Sequence, residues 1–218
     1  MRVYQRDFLE FAIDIGALRF GEFVLKSGRR SPYFFNAGSF NTGAKLARLG
    51  HYYAHAARTY FGQDFMLFGP AYKGIPLVTA TAIQLFQGFE HDVAFAFNRK
   101  EQKNHGEGGR VVGSRLTGKV LIIDDVITAG LSIDHSISLI RQAKAEPVGV
   151  VIALNRQEQA VDNSTSAAQS IEKRYGIPVR AIVDMDTLIE FLDSSVDYHK
   201  NSQAVTEYRE RYGAPVRT

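Results

Sequence analysis

The alternation of short apolar runs with helical patterns is the feature that most constrains the fold of this chain. Five runs rich in β-branched and aromatic residues recur after residue 64: FMLFG, DVAFAFN, KVLIID, PVGVVIALN and PVRAIVD. Apolar residues with helical spacing follow all of them except DVAFAFN, which a polar stretch follows. Strands separated by helices are typical of a parallel sheet covered on both faces. We therefore predict an α/β fold with a central, mainly parallel sheet flanked by helices.

The first 40 residues do not follow this alternation. Residues 4–15 have helical apolar spacing, and Gly16 ends the predicted helix. The segments FGEFVL and SPYFFNAG flank the turn KSGRR, a pattern that predicts a β-hairpin. We expect residues 1–40 to form a small hood and residues 41–218 to form the core, with a helix capped by Asn41-Thr42 at its start.

Composition narrows the functional classes. The chain of 218 residues has no cysteine, which excludes disulfides, thiolate metal sites and cysteine nucleophiles. Its net charge of +3 is too small to indicate nucleic-acid binding. No apolar run approaches the length of a membrane span, and acidic residues interrupt the apolar N-terminus, unlike a signal peptide. We expect a cytoplasmic protein with neither nucleic acid nor membrane as partner.

Polar segments follow four of the predicted strands. They are residues 69–74, 98–110, 124–130 and 155–156. In open parallel sheets, ligands bind beyond the carboxyl ends of the strands. We therefore expect these four segments to meet at one edge of the sheet and to form a binding site there.

Two adjacent aspartates, Asp124 and Asp125, stand at the end of the buried run VLII. The small residues Thr128-Ala129-Gly130 follow, and a helical pattern begins behind them. Backbone N–H groups at the start of a helix form an anion site. An ordinary strand-to-helix turn is the alternative. Carboxylates beside a phosphate loop suit a ribose phosphate, because they accept hydrogen bonds from hydroxyls and stabilise positive charge on a ribosyl carbon.

The sequence VLIIDDVITAG resembles the phosphoribosyl-diphosphate motif of type I phosphoribosyltransferases. FGEFVLKSGRRSPYFFNAG, FGPAYKGIP and FNRKEQKNHGEGG resemble the orotate phosphoribosyltransferases of that family, in the same order and nearly end to end. The resemblance implies the type I phosphoribosyltransferase fold with an N-terminal hood. It also implies Mg²⁺-dependent transfer of the ribosyl 5-phosphate group from phosphoribosyl diphosphate to orotate. The products are orotidine 5′-phosphate and diphosphate, in pyrimidine biosynthesis.

The resemblance also implies roles for individual residues. The catalytic residues are Asp124, Asp125, Lys103 and His105. The residues that bind phosphoribosyl diphosphate are Lys26, Tyr72, Lys73, Arg99, Lys100, Lys103, His105, Asp124, Asp125, Val126, Ile127, Thr128, Ala129, Gly130, Leu131 and Ser132. The residues that bind orotate are Lys26, Phe34, Phe35, Thr128 and Arg156. No residue is a direct metal ligand, because the substrate supplies most of the ligands of Mg²⁺.

One position departs from the family motif, which usually has a Thr or Ser hydroxyl directly after the glycine. Here Leu131 stands at that position and Ser132 follows it. The backbone cradle for the 5′-phosphate can persist without this side chain. One hydroxyl contact to the phosphate is then missing, unless Ser132 supplies it.

Residues 99–110, RKEQKNHGEGGR, are basic and glycine-rich and contain no apolar residue. A disordered surface loop is the simplest interpretation of such a segment. Beside a diphosphate site, we interpret the segment instead as a lid loop. Its cations would neutralise the leaving group, and its closure would exclude water. In the resembling family this lid closes over the site of the neighbouring subunit. That implies a homodimer with the lid loop shared between subunits.

The hairpin and Arg156 are the candidates for recognising the base. Phe34 and Phe35 can form a slot for a flat pyrimidine with Lys26 nearby, although core packing is the alternative for both phenylalanines. The guanidinium of Arg156 suits the carboxylate of orotate, and an ion pair with a local acidic residue is its alternative. Two rival functions remain open: transfer to another base, and a non-catalytic regulator on the same fold.

Overall fold

A computed structural model of the chain describes residues 1–25, 27–103, 109–128, 130–160 and 165–215. For residues 100–103 and 109 it describes the backbone alone. The N-terminal part begins with helix α1 (Val3–Asp14), and Gly16 follows in the left-handed region with a φ of 70°. Strands β1 (Leu18–Val24) and β2 (Arg30–Phe35) then pair antiparallel in a separate two-stranded sheet. The predicted helix and hairpin are thus present.

The central sheet has six strands in the described part of the chain. They are β3 (Met66–Gly69), β4 (Phe95–Lys103), β5 (Gly109–Gly113), β6 (Lys119–Ile123), β7 (Glu146–Asn155) and β8 (Val179–Asp184). Their order is β5-β4-β3-β6-β7-β8, and every neighbouring pair is parallel except β4 with β5. The prediction of a mainly parallel central sheet is confirmed.

In the described residues, six further α-helices flank this sheet. They are α2 (Gly43–Phe61), α3 (Gly74–Phe89), α4 (Leu131–Gln142), α5 (Ala167–Tyr175), α6 (Met185–Ser194) and α7 (Ser202–Tyr212). The side chain of Thr42 caps α2, as predicted, by accepting a hydrogen bond from the Lys45 N–H at 3.3 Å. Within the described residues, we find no helix with the length and apolar character needed to cross a membrane.

Apolar side chains cover both faces of the sheet, because successive residues of a strand point to opposite sides. Leu121 and Ile123 of β6 belong to one core cluster, together with side chains of α1, α2 and α6. Val120 and Ile122 belong to a second cluster, together with side chains of α4 and α5. Burial on both faces explains why the strands read as continuous apolar runs in the sequence.

The segment from residue 99 to residue 110 differs from its prediction as a loop. Strand β4 continues to Lys103, and β5 begins at Gly109 and pairs antiparallel with it. An antiparallel pair at a sheet edge satisfies its own backbone hydrogen bonds and can be solvated, so it does not require apolar side chains. The polar composition of residues 99–110 therefore gave no indication of a strand. Residues 104–108 lie outside the described residues.

The strand order identifies where a ligand should bind. The chain moves outward from β3 to β4, and β6 then lies on the opposite side of β3. The order of the strands thus reverses between β3 and β6. In open α/β sheets, the crevice beyond the carboxyl ends of the strands at such a reversal is the usual ligand site.

Candidate active site

The two acidic residues at the end of β6 are buried and tightly held. One carboxylate oxygen of Asp124, Oδ1, accepts a hydrogen bond from the Asp125 N–H at 2.9 Å. The other, Oδ2, accepts one from the Ser132 hydroxyl, also at 2.9 Å. Burial, and secondly the neighbouring charge of Asp125, raise the pKa of Asp124 to about 6. The loop therefore presents two carboxyl groups with different affinities for protons.

An ion pair joins the loops that follow β3 and β6. Lys73 Nζ lies 2.6 Å from Asp125 Oδ2. The Lys73 side chain is 69% exposed, whereas that of Asp125 is 9% exposed. The ammonium can therefore meet an anion from solvent while it contacts Asp125. The pair places one cation and two carboxyl groups in the crevice where the strand order reverses.

The start of α4 has the backbone geometry of an anion site. Gly130 precedes α4 in the left-handed region with a φ of 76°, and a Cβ atom at that position would lie 3.0 Å from Ile171 Cδ1. Both observations favour glycine there. The side chain of Leu131 is 73% exposed, and the hydroxyl of Ser132 is directed to Asp124. The N–H groups at a helix start of this kind can hold an anion.

Asn98 connects β4 with the loop that carries Lys73. Its side-chain oxygen accepts a hydrogen bond from the Ala71 N–H at 2.7 Å, and the residue is buried. The peptide bond between Ala71 and Tyr72 is cis. The sequence did not identify Asn98 as a site residue, although a polar residue that ends an apolar strand was a visible signal. This contact joins the polar segments after β3 and β4, as the parallel topology predicts.

The two phenylalanines of the hairpin have different surroundings. Phe35 packs against the core, and its ring centroid lies 6.3 Å from those of Phe8 and Phe40. Phe34 instead stacks on Phe23 at 5.5 Å, with the guanidinium of Arg19 5.8 Å from its ring centroid. Core packing therefore accounts for Phe35, whereas Phe34 is the more available surface for a flat ring.

Arg156 is engaged with protein partners at the end of β7. Its Nε and Nη2 atoms both lie 2.6 Å from Glu158 Oε1, and Nη2 also donates to the Ser31 hydroxyl at 2.9 Å. The guanidinium carbon lies 4.2 Å from the centroid of the Tyr33 ring. The local ion pair that was the alternative for Arg156 is thus present. The contact with Ser31 brings the hairpin to the same edge of the sheet.

Glu158 is the centre of this second cluster, and the sequence did not single it out. Its Oε1 atom also accepts a hydrogen bond from the Tyr208 hydroxyl of α7 at 3.0 Å. Its Oε2 atom lies 3.6 Å from Arg29 Nη1. These partners come from distant parts of the chain, so spacing in the sequence could not reveal them.

Several predicted site residues cannot be placed. Lys26, His105 and Ala129 lie outside the described residues, and Lys100 and Lys103 are described by their backbone alone. Arg99, Val126 and Ile127 are partly exposed, and Tyr72 and Thr128 are exposed. Their roles stay predictions. Among the described residues, no cluster of three or more acidic or histidine side chains could hold a metal ion.

The chain was compared with known proteins. A family model described as a phosphoribosyl transferase domain matches residues 40–184. Orotate phosphoribosyltransferase of Thioalkalivibrio sulfidiphilus is 55% identical over 98% of this chain and 100% of the relative. That of Hahella chejuensis is 56% identical over 98% of this chain and 99% of the relative.

A solved structure of an orotate phosphoribosyltransferase has a similar fold. A crystal structure of orotate phosphoribosyltransferase from Francisella tularensis superposes with a TM-score of 0.86 at 43% identity, covering 95% of this chain and 99% of that chain. The matches extend over the hood, the central sheet and the crevice between β3 and β6. The chain belongs to the phosphoribosyl transferase family, within its group of orotate phosphoribosyltransferases.

Proposed function

We propose that this chain transfers the ribosyl 5-phosphate group of phosphoribosyl diphosphate to orotate, giving orotidine 5′-phosphate and diphosphate in pyrimidine biosynthesis. The observation that carries the proposal is the ion pair of Lys73 with Asp125, beside the buried Asp124, at the reversal of strand order. More than half of the residues are identical to those of relatives that are named for this activity.

The crevice offers a complementary group for each part of phosphoribosyl diphosphate. The 5′-phosphate fits the backbone N–H groups at the start of α4, where Gly130 adopts the left-handed conformation that begins the helix. The carboxylates of Asp124 and Asp125 accept hydrogen bonds from the ribose hydroxyls. Lys73, on the neighbouring loop, binds the diphosphate.

The proposed reaction breaks the bond between ribose C1 and the diphosphate oxygen, and the bonding electron pair leaves with the diphosphate. A ring nitrogen of orotate attacks C1 from the opposite face and forms the new bond. The ribosyl group gains oxocarbenium character in between, as in glycoside cleavage. Buried carboxylates stabilise that positive charge strongly, because the low local dielectric favours preorganised charges. Lys73 and the lid residues Arg99, Lys100, Lys103 and His105 take the negative charge of the leaving group.

Mg²⁺ fits this site as an ion carried by the substrate. The described residues contain no cluster of three acidic or histidine side chains, so they form no cage of protein ligands for it. Mg²⁺ typically binds one or two carboxylates together with waters and phosphate oxygens. Asp124 and Asp125 are the hard oxygen ligands nearest to the proposed ribose position. When bound, the ion would neutralise charge on the diphosphate.

Orotate is proposed to bind between the hairpin and the end of β7. Phe34 and Lys26 would contact the pyrimidine, and Phe35 would support the slot from the core. The guanidinium of Arg156 already contacts Glu158, Ser31 and Tyr208. A substrate carboxylate would share its N–H donors with these groups. Thr128 completes the proposed contacts from the opposite side.

We further propose a homodimer in which the lid of one subunit serves the site of the other. Two exposed apolar side chains of α3, Ile83 and Phe86, support this proposal. They are three residues apart in the helix, so they lie on the same face of it. Exposed apolar patches of this kind typically mark protein interfaces. A cytoplasmic location stays a prediction.

One assay tests the proposed activity. The protein is mixed with Mg²⁺, phosphoribosyl diphosphate and orotate, and the loss of orotate absorbance is followed while uracil or adenine competes in excess. We expect turnover of orotate that neither base inhibits, because neither carries the carboxylate. Turnover of uracil or adenine instead would support the rival with another base. Binding of phosphoribosyl diphosphate without turnover of any base would support the regulator.

A further inference from the structure

A tyrosine of α2 reaches the acid pair from beneath the site. The hydroxyl of Tyr53 donates a hydrogen bond of 2.7 Å to the main-chain carbonyl of Asp124. Tyr53 is 0% exposed, so it cannot touch a ligand in the crevice. Burial, and secondly the charges of Asp125 and Asp124, raise the pKa of Tyr53 well above its ordinary value. The phenol therefore stays protonated and acts as the donor.

This contact occurs where the ladder between β6 and β7 ends, directly after its last pair, Ile123 with Val151. The Asp124 N–H still donates to the Val151 carbonyl at 3.1 Å, as a parallel neighbour should. In a regular ladder the Ala153 N–H would then donate to the Asp124 carbonyl. It donates instead to the Asp125 carbonyl, at 2.9 Å. The Tyr53 hydroxyl thus replaces the strand donor that the Asp124 carbonyl has lost.

The chain departs from the ladder at the acid pair itself. The chain leaves the strand geometry at Asp124, and the Asp125 carboxylate then meets Lys73. A buried carbonyl without a partner would be costly, so the departure requires a donor from another element. Tyr53 supplies that donor from below, while Ser132 and the Asp125 N–H fix the Asp124 side chain from above.

We infer that Tyr53 is a positioning residue that sets the orientation of Asp124 and Asp125 toward the ribose. The inference rests on the proposed function, since it assigns these carboxylates to the transferred group. Displacements of about 1 Å at a reacting centre can lower rates by roughly 100-fold. Loss of the hydroxyl should therefore reduce turnover although the residue lies outside the substrate site.

The neighbouring residue on the same helix provides a matched control. Tyr52 is 2% exposed, and its hydroxyl also donates to a main-chain carbonyl, that of Asp7 at 3.1 Å. It accepts a further hydrogen bond from Arg48 Nε at 2.9 Å. Tyr52→Phe and Tyr53→Phe thus remove the same atom from two buried tyrosines, but only one of them lies under the acid pair.

The test compares the kcat and the KM of the two variants with those of the wild type. We expect Tyr53→Phe to lower kcat by roughly 10- to 100-fold, with a smaller change in the KM for orotate. A lower kcat at a similar KM would indicate misplaced reacting groups rather than lost substrate binding. Tyr52→Phe should keep the kcat of the wild type.

Amide exchange gives a readout that does not depend on activity. The Asp125 and Ala153 amides of the ligand-free protein should exchange faster in Tyr53→Phe than in Tyr52→Phe, at a temperature where both variants are folded. Wild-type kcat and unchanged exchange in Tyr53→Phe would overturn the inference. An inactive wild type would instead refute the proposed function, so the two failures are distinguishable.

Discussion

At the scale of single residues, the site depends on a carboxyl group that binds its proton unusually tightly. Asp124 is buried, and its pKa is raised from 3.8 to about 6. A raised pKa means that the folded chain holds the proton more tightly than the unfolded chain does. The resulting stabilisation is present at acid pH and is lost as the pH rises through about 6. Ionised Asp124 is therefore kept at a cost in stability, as expected for a functional group.

Replacing Asp124 with Asn should remove this pH dependence. The free energy of unfolding of the wild type, relative to that of Asp124→Asn, should fall by about 2 kcal/mol between pH 4.5 and pH 8. Urea denaturation of both proteins at the two pH values measures this difference, and titrating groups that do not interact with Asp124 cancel in the comparison. A difference that is constant with pH would show that Asp124 titrates normally.

The residue after Gly130 provides a second test at this scale. The Ser132 hydroxyl donates to Asp124, so it does not replace the hydroxyl that the family motif has where this chain has Leu131. Leu131→Thr should tighten binding of phosphoribosyl diphosphate by roughly 10-fold or more, because hydrogen bonds to charged groups contribute about 1.5–3 kcal/mol. Leu131→Val, which matches threonine in shape, should not. Ser132→Ala should weaken binding only slightly, through the loss of one hydrogen bond that holds Asp124.

Dissociation constants from calorimetry separate the possible results. Ser132→Ala could weaken the binding of phosphoribosyl diphosphate strongly while Leu131→Thr leaves the affinity unchanged. That result would mean that Ser132 contacts the phosphate when the ligand is bound. No change in any of the three variants would mean that backbone N–H groups alone hold the phosphate.

At the scale of elements, the spacing of apolar residues predicted most of the strands and helices, because burial determines that spacing. The strands β3, β6, β7 and β8 lie in the apolar runs, and every predicted helix is present. Strand β5 and the extension of β4 were missed, since a solvated antiparallel edge needs no apolar pattern. Edge elements of this kind depend on their neighbour strand rather than on their own composition.

The sequence predicted the site residues that directly follow strands, but not those whose partners are distant in the sequence. The acid pair, Lys73 and the glycine turn follow strands directly, and parallel topology brings such ends together. Tyr53, Asn98 and Glu158 act through partners that are far away in the sequence. Their roles follow only from the packing of α2, β4 and α7, which spacing along the chain does not reveal.

The proposed lid, residues 99–110, makes a contribution that a single substitution can measure. Lys103→Ala should lower kcat by roughly 10²–10³-fold, as expected for loss of one preorganised charge stabiliser. Binding of orotidine 5′-phosphate should change much less, because it lacks the diphosphate. Steady-state kinetics with a product-binding titration checks both. Turnover close to that of the wild type would remove the lid from the mechanism.

At the scale of the whole molecule, the proposed sharing of lids makes the dimer the functional unit. Lys103→Ala and Asp125→Asn subunits should then complement each other. In a mixed dimer one site carries both substitutions and the other carries neither. Mixing the two weakly active homodimers under exchange conditions should restore up to half of the wild-type activity per mixed dimer. If subunit exchange is demonstrated and no activity returns, each lid serves its own chain.

Strands β3 and β6 have one Lys–Asp ion pair beyond their carboxyl ends and a similar pair near their amino ends. Lys73 meets Asp125 at 2.6 Å beyond the carboxyl ends of these strands. Lys119 meets Asp64 at 2.7 Å near their amino ends. We expect phosphoribosyl diphosphate to bind at the carboxyl ends only, so only the pair of Lys73 with Asp125 should affect its binding.

Calorimetric titration of phosphoribosyl diphosphate with Mg²⁺ into Lys73→Ala and Lys119→Ala is the most direct measurement. We expect Lys73→Ala to weaken binding by roughly 10- to 100-fold, as for loss of a hydrogen bond to a charged group, and Lys119→Ala to retain the wild-type affinity. Equal affinities in both variants, or weaker binding in Lys119→Ala alone, would contradict a binding site in the crevice between β3 and β6.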